Sequence, residues 1–196
     1  MRRGERWIMD SGVEHETYMT HRNKTPRQNY YRVRAEGHNV PVLNPGKGPD
    51  QNPKAVAKFV KFDSTPQQAE AVVDLSQAYA TDAKRVLRTF TLPDRKRLVV
   101  TDELSARQPA ELWWFLHTEA DVALSDQGRT ATLSRNGKTF TVRLQEPADA
   151  AFEVMDCQPL PSSPNPQPQA DNRGRRKLAL HLRNVGDTRI QVSLGP

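Results

Sequence analysis

The sequence predicts an all-β protein, a large antiparallel β-sandwich. Short segments of alternating apolar and polar residues recur along the chain and are separated by Gly, Pro, Asn and Asp, the pattern of a sandwich rather than of an α/β fold. An Asn-Gly pair between two such segments is a hairpin signal. The length of 196 residues suffices for a domain with its own core, and 15 prolines with three tryptophans indicate a loop-rich folded chain. We therefore expect residues 1–196 to form a single β-domain.

The first extended segment, residues 30–45 (YYRVRAEGHNVPVLNP), carries a polar cluster in its middle. Aromatic and β-branched residues alternate as in a strand, which would place Arg32 and Arg34 on one face. That pair could form a fork for carboxylates or sulfates, or a solvated face. The Gly-His-Asn cluster at 37–39 has two interpretations: a binding site that backbone can approach closely, or a tight turn capped by its asparagine.

Residues 65–89 are ambiguous between helix and strand. Thr65-Pro66 could begin a helix, because proline is favoured at the first helical position. The apolar residues of VVDLSQAY, however, fall poorly on one helical stripe. The residue pattern alone leaves both interpretations open.

Two hairpins and a buried strand are predicted next. RVLRTFTL and RLVVTDEL, within residues 85–104, alternate on either side of a turn at Pro93-Asp94. ATLSRNGKTFTVRL, residues 131–144, alternates about Asn-Gly, which suits the positive φ angles of a type I′ turn. Between them ELWWFLHTEADVAL, residues 111–124, is an apolar run without helical period, which predicts a strand buried on both faces.

The last part of the chain predicts three strands and an irregular connector. AAFEVMD, KLALHLRN and TRIQVSL each have strand character, and NVGD at 184–187 predicts the turn of a final hairpin. Five prolines lie between residues 158 and 169. We therefore expect residues 158–176 to form a Pro/Arg-rich surface connector.

The formal net charge of +6 favours an acidic partner. The basic run NRGRRK, residues 172–177, could be a nucleic-acid patch or a solvated loop, and because no nucleic-acid-binding motif accompanies it, nucleic acid is not the expected partner. No run approaches the roughly 18 apolar residues that span a bilayer, so no membrane anchor is expected. The charged start lacks the apolar stretch of a signal peptide, which predicts a cytoplasmic location if the chain is complete.

Two of the five histidines stand out as candidate functional residues. His38 follows a glycine, and His117 interrupts the apolar WWFLHT run, where a buried imidazole must find a partner. These two and a carboxylate such as Asp63 could converge on a metal ion, although their spacing fits no metal motif. The other histidines offer no such argument: His15, His21 and His181.

Tyr79 and Cys157 complete the candidates. A tyrosine such as Tyr79 can pack its ring with the hydroxyl at the rim, or act as a base beside cationic groups that lower its pKa. Cys157 is the sole cysteine and has no histidine nearby in sequence. It is therefore expected to be a small buried hydrophobe rather than a nucleophile.

Taken together, the segments resemble the C-terminal domain of heparinase II/III-like polysaccharide lyases. The resemblance spans nearly the whole chain and rests on the order of GERWIMDSG, YYRVRAEGHNVPVLNP, KFVKFDST, AVVDLSQAYATDAKRVLRTF, LVVTDEL and WWFLHTEADVAL. The GHN, DLSQAY and WWFLHT segments are its most specific parts. It favours a strand for VVDLSQAY.

This resemblance implies a chemistry and a set of site residues. Family members join an N-terminal α/α toroid to a large antiparallel β-sandwich and cleave acidic polysaccharides, such as glycosaminoglycan or alginate, by β-elimination at a uronic acid. By resemblance His38 and Tyr79 would be catalytic. Several members hold a structural zinc ion, for which His117 and Asp63 would be the candidate ligands. The substrate-binding residues would be Tyr31, Arg32, Arg34 and Asn39.

The chain departs from the family in two respects. Val40 stands where members often have threonine after His-Asn, and the chain begins where the β-domain begins, so the toroid would be missing. Half a cleft is not expected to supply the roughly 8 kcal/mol or more of barrier lowering that catalysis requires. The hypothesis is therefore a lyase module that is inactive without its toroid or a separately encoded partner, with a periplasmic or cell-envelope location by resemblance. The alternative is a non-catalytic carbohydrate-binding or scaffold sandwich.

Overall fold

A computed structural model describes residues 4–16 and 25–196, so His21 lies outside the described part of the chain. Within these ranges the protein consists of strands and three short 3₁₀ helices, which confirms the all-β prediction. None of the described helices is long and apolar enough to cross a membrane. The strands are β1 (Pro41–Leu43), β2 (Lys58–Ser64), β3 (Gln68–Asp74), β4 (Ala83–Pro93), β5 (Leu98–Thr118), β6 (Asp121–Ser125), β7 (Thr130–Arg135), β8 (Lys138–Glu146), β9 (Phe152–Asp156) and β10 (Arg176–Gly195). The 3₁₀ helices are Arg27–Asn29, Ala35–Gly37 and Asp126–Gly128.

The strands form one antiparallel sheet in the order β2-β3-β4-β5-β10-β8-β7-β6. β1 pairs with one end of β5, and β9 pairs with one end of β10. β5 and β10 are 21 and 20 residues long and pair with each other over most of that length. Every other strand pairs with β5 or β10 directly or is joined to them through one or two intervening strands.

The central pair bends, so the sheet folds onto itself as a sandwich. The indole nitrogen of Trp114 donates a hydrogen bond to Asp102 Oδ2 at 2.9 Å, although both residues belong to β5. Twelve residues of straight strand would separate them by about 40 Å. The bend lies between Ser105 and Ala110, where four residues of β5 face a single residue of β10. The predicted sandwich is therefore confirmed, with a long layer and a short layer that share the same two strands.

The short layer is buried on both faces. Alternate residues of β5 and β10 point into the main core between the layers, as expected from the period of two along a strand. They are Leu112, Trp114, Leu116, Leu178 and Leu180. The intervening residues contribute to a second apolar cluster on the outer face, beneath the Ala35–Gly37 helix: Trp113, Phe115 and Ala179. This outer face carries the candidate functional residues.

Several local predictions are confirmed. β7 and β8 form a hairpin about Asn136 and Gly137, whose φ angles are 50° and 71°. β4 and β5 form the second predicted hairpin, and VVD of VVDLSQAY is strand, at the end of β3. The rest of that segment, LSQAY, is not the strand that the resemblance implied, and turns continue from it through Asp82. Residues 157–175 contain no strand or helix.

Two local predictions are wrong. The segment NVGD does not close a hairpin but lies within β10, where Asn184 has a φ of 56° and the register with β5 shifts. Its turn-forming residues serve the bend of the sheet instead. The segment before β1 is not a strand: the amides of Val33 and Arg34 both donate to the Tyr30 carbonyl, which coils the chain into turns. Arg32 and Arg34 therefore do not share a strand face.

Candidate functional site

His38 and Asp10 form a hydrogen-bonded histidine–carboxylate pair at the surface. His38 Nδ1 lies 2.5 Å from Asp10 Oδ2, and the two side chains are 36% and 50% exposed. No hydrogen bond joins His38 Nε2 to any other residue in the described part of the chain. Burial raises the pKa of Asp10, but hydrogen bonds from the Gly12 amide and His38 outweigh it, and this pKa ends below its usual range. The pair can thus exchange a proton at Nε2 while the carboxylate orients the ring.

A closed ring of hydrogen bonds holds both members of this pair in place. The His117 amide donates to Asn39 Oδ1 at 2.7 Å, Asn39 Nδ2 donates to the Met9 carbonyl at 3.0 Å, and the Met9 amide donates to the His117 carbonyl at 3.0 Å. Met9 precedes Asp10, and Asn39 follows His38. β5 therefore sets the spacing between Asp10 and His38 through His117.

His117 is fully buried and neutral. Its Nδ1 lies 3.1 Å from Asn39 Oδ1, which can only accept, so Nδ1 carries the proton and Nε2 accepts from the Tyr31 hydroxyl at 2.8 Å. Burial, assisted by the positive charge of Lys177, lowers the pKa of His117 to about 3. Burial also raises the pKa of Tyr31 well above its usual range. Both rings therefore hold the segment in place as uncharged partners.

These residues do not fit the predicted zinc site. Both ring nitrogens of His117 are engaged by protein partners. Asp63 lies on β2 and, through Glu70 and Thr91, is in register with Val99, at the opposite end of β5 from His117. Asp63 and His117 therefore lie on strands that are separated by β3 and β4 and are not neighbours in the sheet. Among residues 4–16 and 25–196, no three or more His, Cys, Asp or Glu side chains are grouped to hold a metal.

Tyr79 is buried beneath β1 and is 2% exposed. Its hydroxyl donates to the Pro41 carbonyl at 2.7 Å and accepts from Gln51 Nε2 at 2.5 Å. Burial raises its pKa above the usual tyrosine range, because no neighbouring cation compensates fully for desolvation. The predicted role of Tyr79 in catalysis remains a prediction, and the hydroxyl is enclosed in this structure.

Arg34, predicted to bind substrate, is also enclosed. Its guanidinium donates to the carbonyls of Gly46 and Gly48 and pairs with the carboxylates of Glu36 and Asp50. Burial raises the pKa of both carboxyl groups, although Arg34 acts in the opposite direction. Arg34 therefore fixes the loop that follows β1 rather than facing solvent.

Arg32 and Tyr31 instead hold one wall of a cleft. Arg32 donates to Asn172 Oδ1 at 2.8 Å and to the Asp171 carbonyl at 2.7 Å. The Tyr31 amide donates to Gln169 Oε1 at 2.8 Å. These bonds draw the loop before β10 over the Tyr31 ring and leave an open cleft of about 490 Å³ between them. The cleft is lined by Tyr31, Cys157, Gln169, Asn172, Arg173 and Arg176, among others.

Sequence reasoning missed two parts of this site. Asp10 lies 28 residues before His38, a separation that no motif relates to a histidine–carboxylate pair. The basic run at 172–177 was open to a nucleic-acid or solvated-loop interpretation, whereas the structure places three of its arginines along the cleft. Cys157 is buried, as predicted, and lies at the floor of that cleft.

Residues 1–186 match the family model described as heparinase II/III-like, C-terminal. The chain belongs to this heparinase II/III-like family. Its fold is similar to a heparinase III solved with methylated lysines, at 13% identity and a TM-score of 0.69, over 97% of this chain and 28% of that one. It is also similar to the heparan sulfate lyase HepC of Pedobacter heparinus, at 11% identity and a TM-score of 0.63, over 84% of this chain and 24% of that one.

The chain spans about a quarter of the length of these solved structures. No curated protein sequence matches it. At such low identity the structural likeness bears on the fold alone, whereas the family model places the chain among relatives of polysaccharide lyases.

Proposed function

We propose that this heparinase II/III-like domain forms one wall of the active site of a lyase that cleaves acidic polysaccharide by β-elimination. The observation that carries the proposal is the surface pair of His38 and Asp10. In such a reaction the uronate carboxylate is neutralised, the C5 proton is removed and the bond to O4 breaks. His38 Nε2 would accept the C5 proton and then donate it to the departing O4, while Asp10 orients the ring and stabilises its charged form.

The reaction needs a second wall, because a pair exposed on one side cannot by itself exclude water or position a sugar ring. The solved lyases that the chain resembles are about four times its matched length. We place the missing wall in a helical toroid domain, carried by the same polypeptide or encoded separately. Tyr79 would be a second proton-transfer group if closure of that wall released its hydroxyl from Pro41. Acidic polysaccharides of this kind lie outside the cytoplasm, so the proposed location is the periplasm or cell envelope.

The test follows the unsaturated uronide product by its ultraviolet absorbance. The chain is incubated with alginate, heparan sulfate and hyaluronan, both alone and with the polypeptide encoded upstream. We expect product only in the combined reaction, and at least a hundredfold lower kcat in His38→Ala and Asp10→Asn. The control is His181→Gln, since His181 bonds Glu111 on the same face but is not part of the pair. Full activity of His38→Ala would overturn the proposal.

A non-catalytic carbohydrate-binding sandwich is the second candidate function. The cleft beside Tyr31 favours it, because that cleft is present without any second domain. Binding of an acidic polysaccharide without product in either reaction would support this alternative over the lyase.

A further inference from the structure

The cleft between Tyr31 and the loop of residues 165–176 has the size and chemistry of a sugar-binding site. Its volume of about 490 Å³ falls within the range of small-molecule sites, and its lining includes three arginines and several side-chain amides. We propose that this arginine cleft binds the carboxylate or sulfate groups of an acidic oligosaccharide. The inference rests on the proposed function, since it names where the substrate chain lies next to His38.

The cleft is built before any ligand arrives. Arg32 holds the loop at Asp171 and Asn172, Gln169 accepts the Tyr31 amide, and the Glu14 carboxylate accepts the Ala170 amide at 3.1 Å. Each contact joins the loop to a distant part of the chain. A preformed wall binds its ligand without the cost of ordering a loop.

Two guanidinium groups at the cleft can exchange their aspartate partner for an anionic group of a ligand. The Arg173 side chain is 92% exposed and pairs with Asp171 at 2.7 Å, within its own loop. The Arg176 side chain is 46% exposed and pairs with Asp156 at 3.1 Å. Exposed ion pairs contribute little stability, so a ligand anion can replace the aspartate at either guanidinium. The planar fork of arginine matches a carboxylate or sulfate with two parallel hydrogen bonds.

A buried cation lies beneath the floor. Lys177 Nζ is 5.0 Å from the centre of the Tyr31 ring and donates to the Gln158 carbonyl at 2.9 Å. Three arginines and two aspartates line the cleft, so the ammonium below adds to an excess of positive charge. A cleft with this potential attracts anionic sugars over neutral ones.

Arg175 connects the cleft to the His38–Asp10 pair. Its guanidinium donates to the Ser11 carbonyl at 3.2 Å, and Ser11 follows Asp10 directly. The cleft therefore adjoins the segment that carries Asp10, and we infer that the oligosaccharide extends along Arg175 toward His38. The cleft would hold the part of the chain that flanks the bond to be cleaved.

The test measures binding by isothermal titration calorimetry on the whole chain. The probes are an alginate tetrasaccharide, which carries carboxylates only, a heparin tetrasaccharide, which adds sulfates, and neutral cellotetraose. The double variant Arg173→Ala/Arg176→Ala is compared with Arg143→Ala/Arg189→Ala. The control removes the same charge from two exposed arginines outside the cleft, which pair with Asp126 and Glu146.

We expect the cleft variant to bind the acidic probes at least about tenfold more weakly and the control variant to change binding less than about twofold. Tighter binding of heparin than of alginate would assign the arginines to sulfate, and the reverse to carboxylate. Equal loss in both double variants, or equal binding of cellotetraose, would overturn the proposal. If product formation fails in every arrangement while the cleft variant alone loses binding, the lyase proposal falls and the cleft stands. Normal turnover with unimpaired binding in the cleft variant would remove the cleft proposal and leave the lyase proposal standing.

Discussion

Asn39 Oδ1 accepts two hydrogen bonds from one residue, the backbone amide and the ring Nδ1 of His117, at 2.7 and 3.1 Å. The two residues are 78 positions apart, and the contact lies on the outer face of the short layer. Asn39 is thus the link through which a buried strand holds a surface histidine.

Replacing Asn39 by alanine is expected to lower the free energy of unfolding by about 2–4 kcal/mol, because it orphans the His117 amide and the Met9 carbonyl. Urea denaturation measures the change. Asn52→Ala is the matched control, since within the described residues the exposed Asn52 side chain accepts only the amide of Lys54. A loss of similar size in both variants would contradict the proposed link.

The buried His117 makes stability depend on pH in a defined window. Its pKa is about 3 in the folded protein against an ordinary value of 6.5, so between these values the unfolded chain binds a proton that the folded one does not. Its contribution is fully present above pH 6.5 and is lost as the pH falls toward 3, at up to about 1.4 kcal/mol per pH unit. His117→Gln keeps a donor and an acceptor but does not titrate. The free energies of unfolding of the wild type and of His117→Gln, measured from pH 7 to 4, should therefore converge as the pH falls. Parallel curves would contradict the lowered pKa of His117.

Gly37 is required because another part of the backbone lies against it. A Cβ added there would stand 2.2 Å from the Tyr31 carbonyl oxygen, so Gly37→Ala must open the turn that carries His38. We expect a loss of at least about 2 kcal/mol in stability, measured by thermal or urea unfolding. At Gly48 an added Cβ meets nothing within 4 Å, so Gly48→Ala should change stability by less than about 0.5 kcal/mol. Equal losses of stability in Gly37→Ala and Gly48→Ala would show that the Tyr31 carbonyl does not pack closely against Gly37.

Lys177 carries a charge that is buried beneath the cleft at a cost to the stability of the fold. Burial lowers its pKa to about 8, against 10.5 in the unfolded chain, although Glu36 and Cys157 oppose the shift. We expect Lys177→Met to leave stability at pH 7 unchanged or raised by up to about 3 kcal/mol. From pH 8 to 10.5 the unfolded chain keeps a proton that the folded one releases, so the native protein should gain stability relative to this variant. A strongly destabilised variant at pH 7 would mean that the cation–ring contacts outweigh desolvation.

The sequence predicts local structure correctly where that structure depends only on residues within the same segment. The hairpin about Asn136-Gly137 needs only positive φ angles and alternation, and both are visible in the chain. Residues 30–45 depend on partners outside the segment instead: Tyr31 and Asn39 bond to His117, and Arg34 is held by the loop of residues 46–50. Such contacts override strand-like alternation.

In the candidate site, too, the sequence indicates single residues but not the tertiary contacts between them. His38 was singled out because a polar cluster in an extended segment is conspicuous, and its role stays a prediction, whereas its contact with Asp10 is fixed by tertiary packing that no spacing encodes. His117 was correctly expected to need a partner for its buried imidazole, and Asn39 and Tyr31 each contact one of its ring nitrogens. A buried imidazole signals that partners exist and not which they are.

The bent pair of β5 and β10 has a consequence for how this domain can change length. Each strand passes through both layers, so one residue inserted between Ala110 and Leu112 would turn the side chains after it, through Thr118, to the opposite face. Trp114 would leave the core and Trp113 would enter it. Residues 106–109 are different, because the pairing is already interrupted there. Insertions and deletions should therefore be tolerated at this corner and excluded from the paired stretches on either side, which makes strand length as strict a requirement as residue identity.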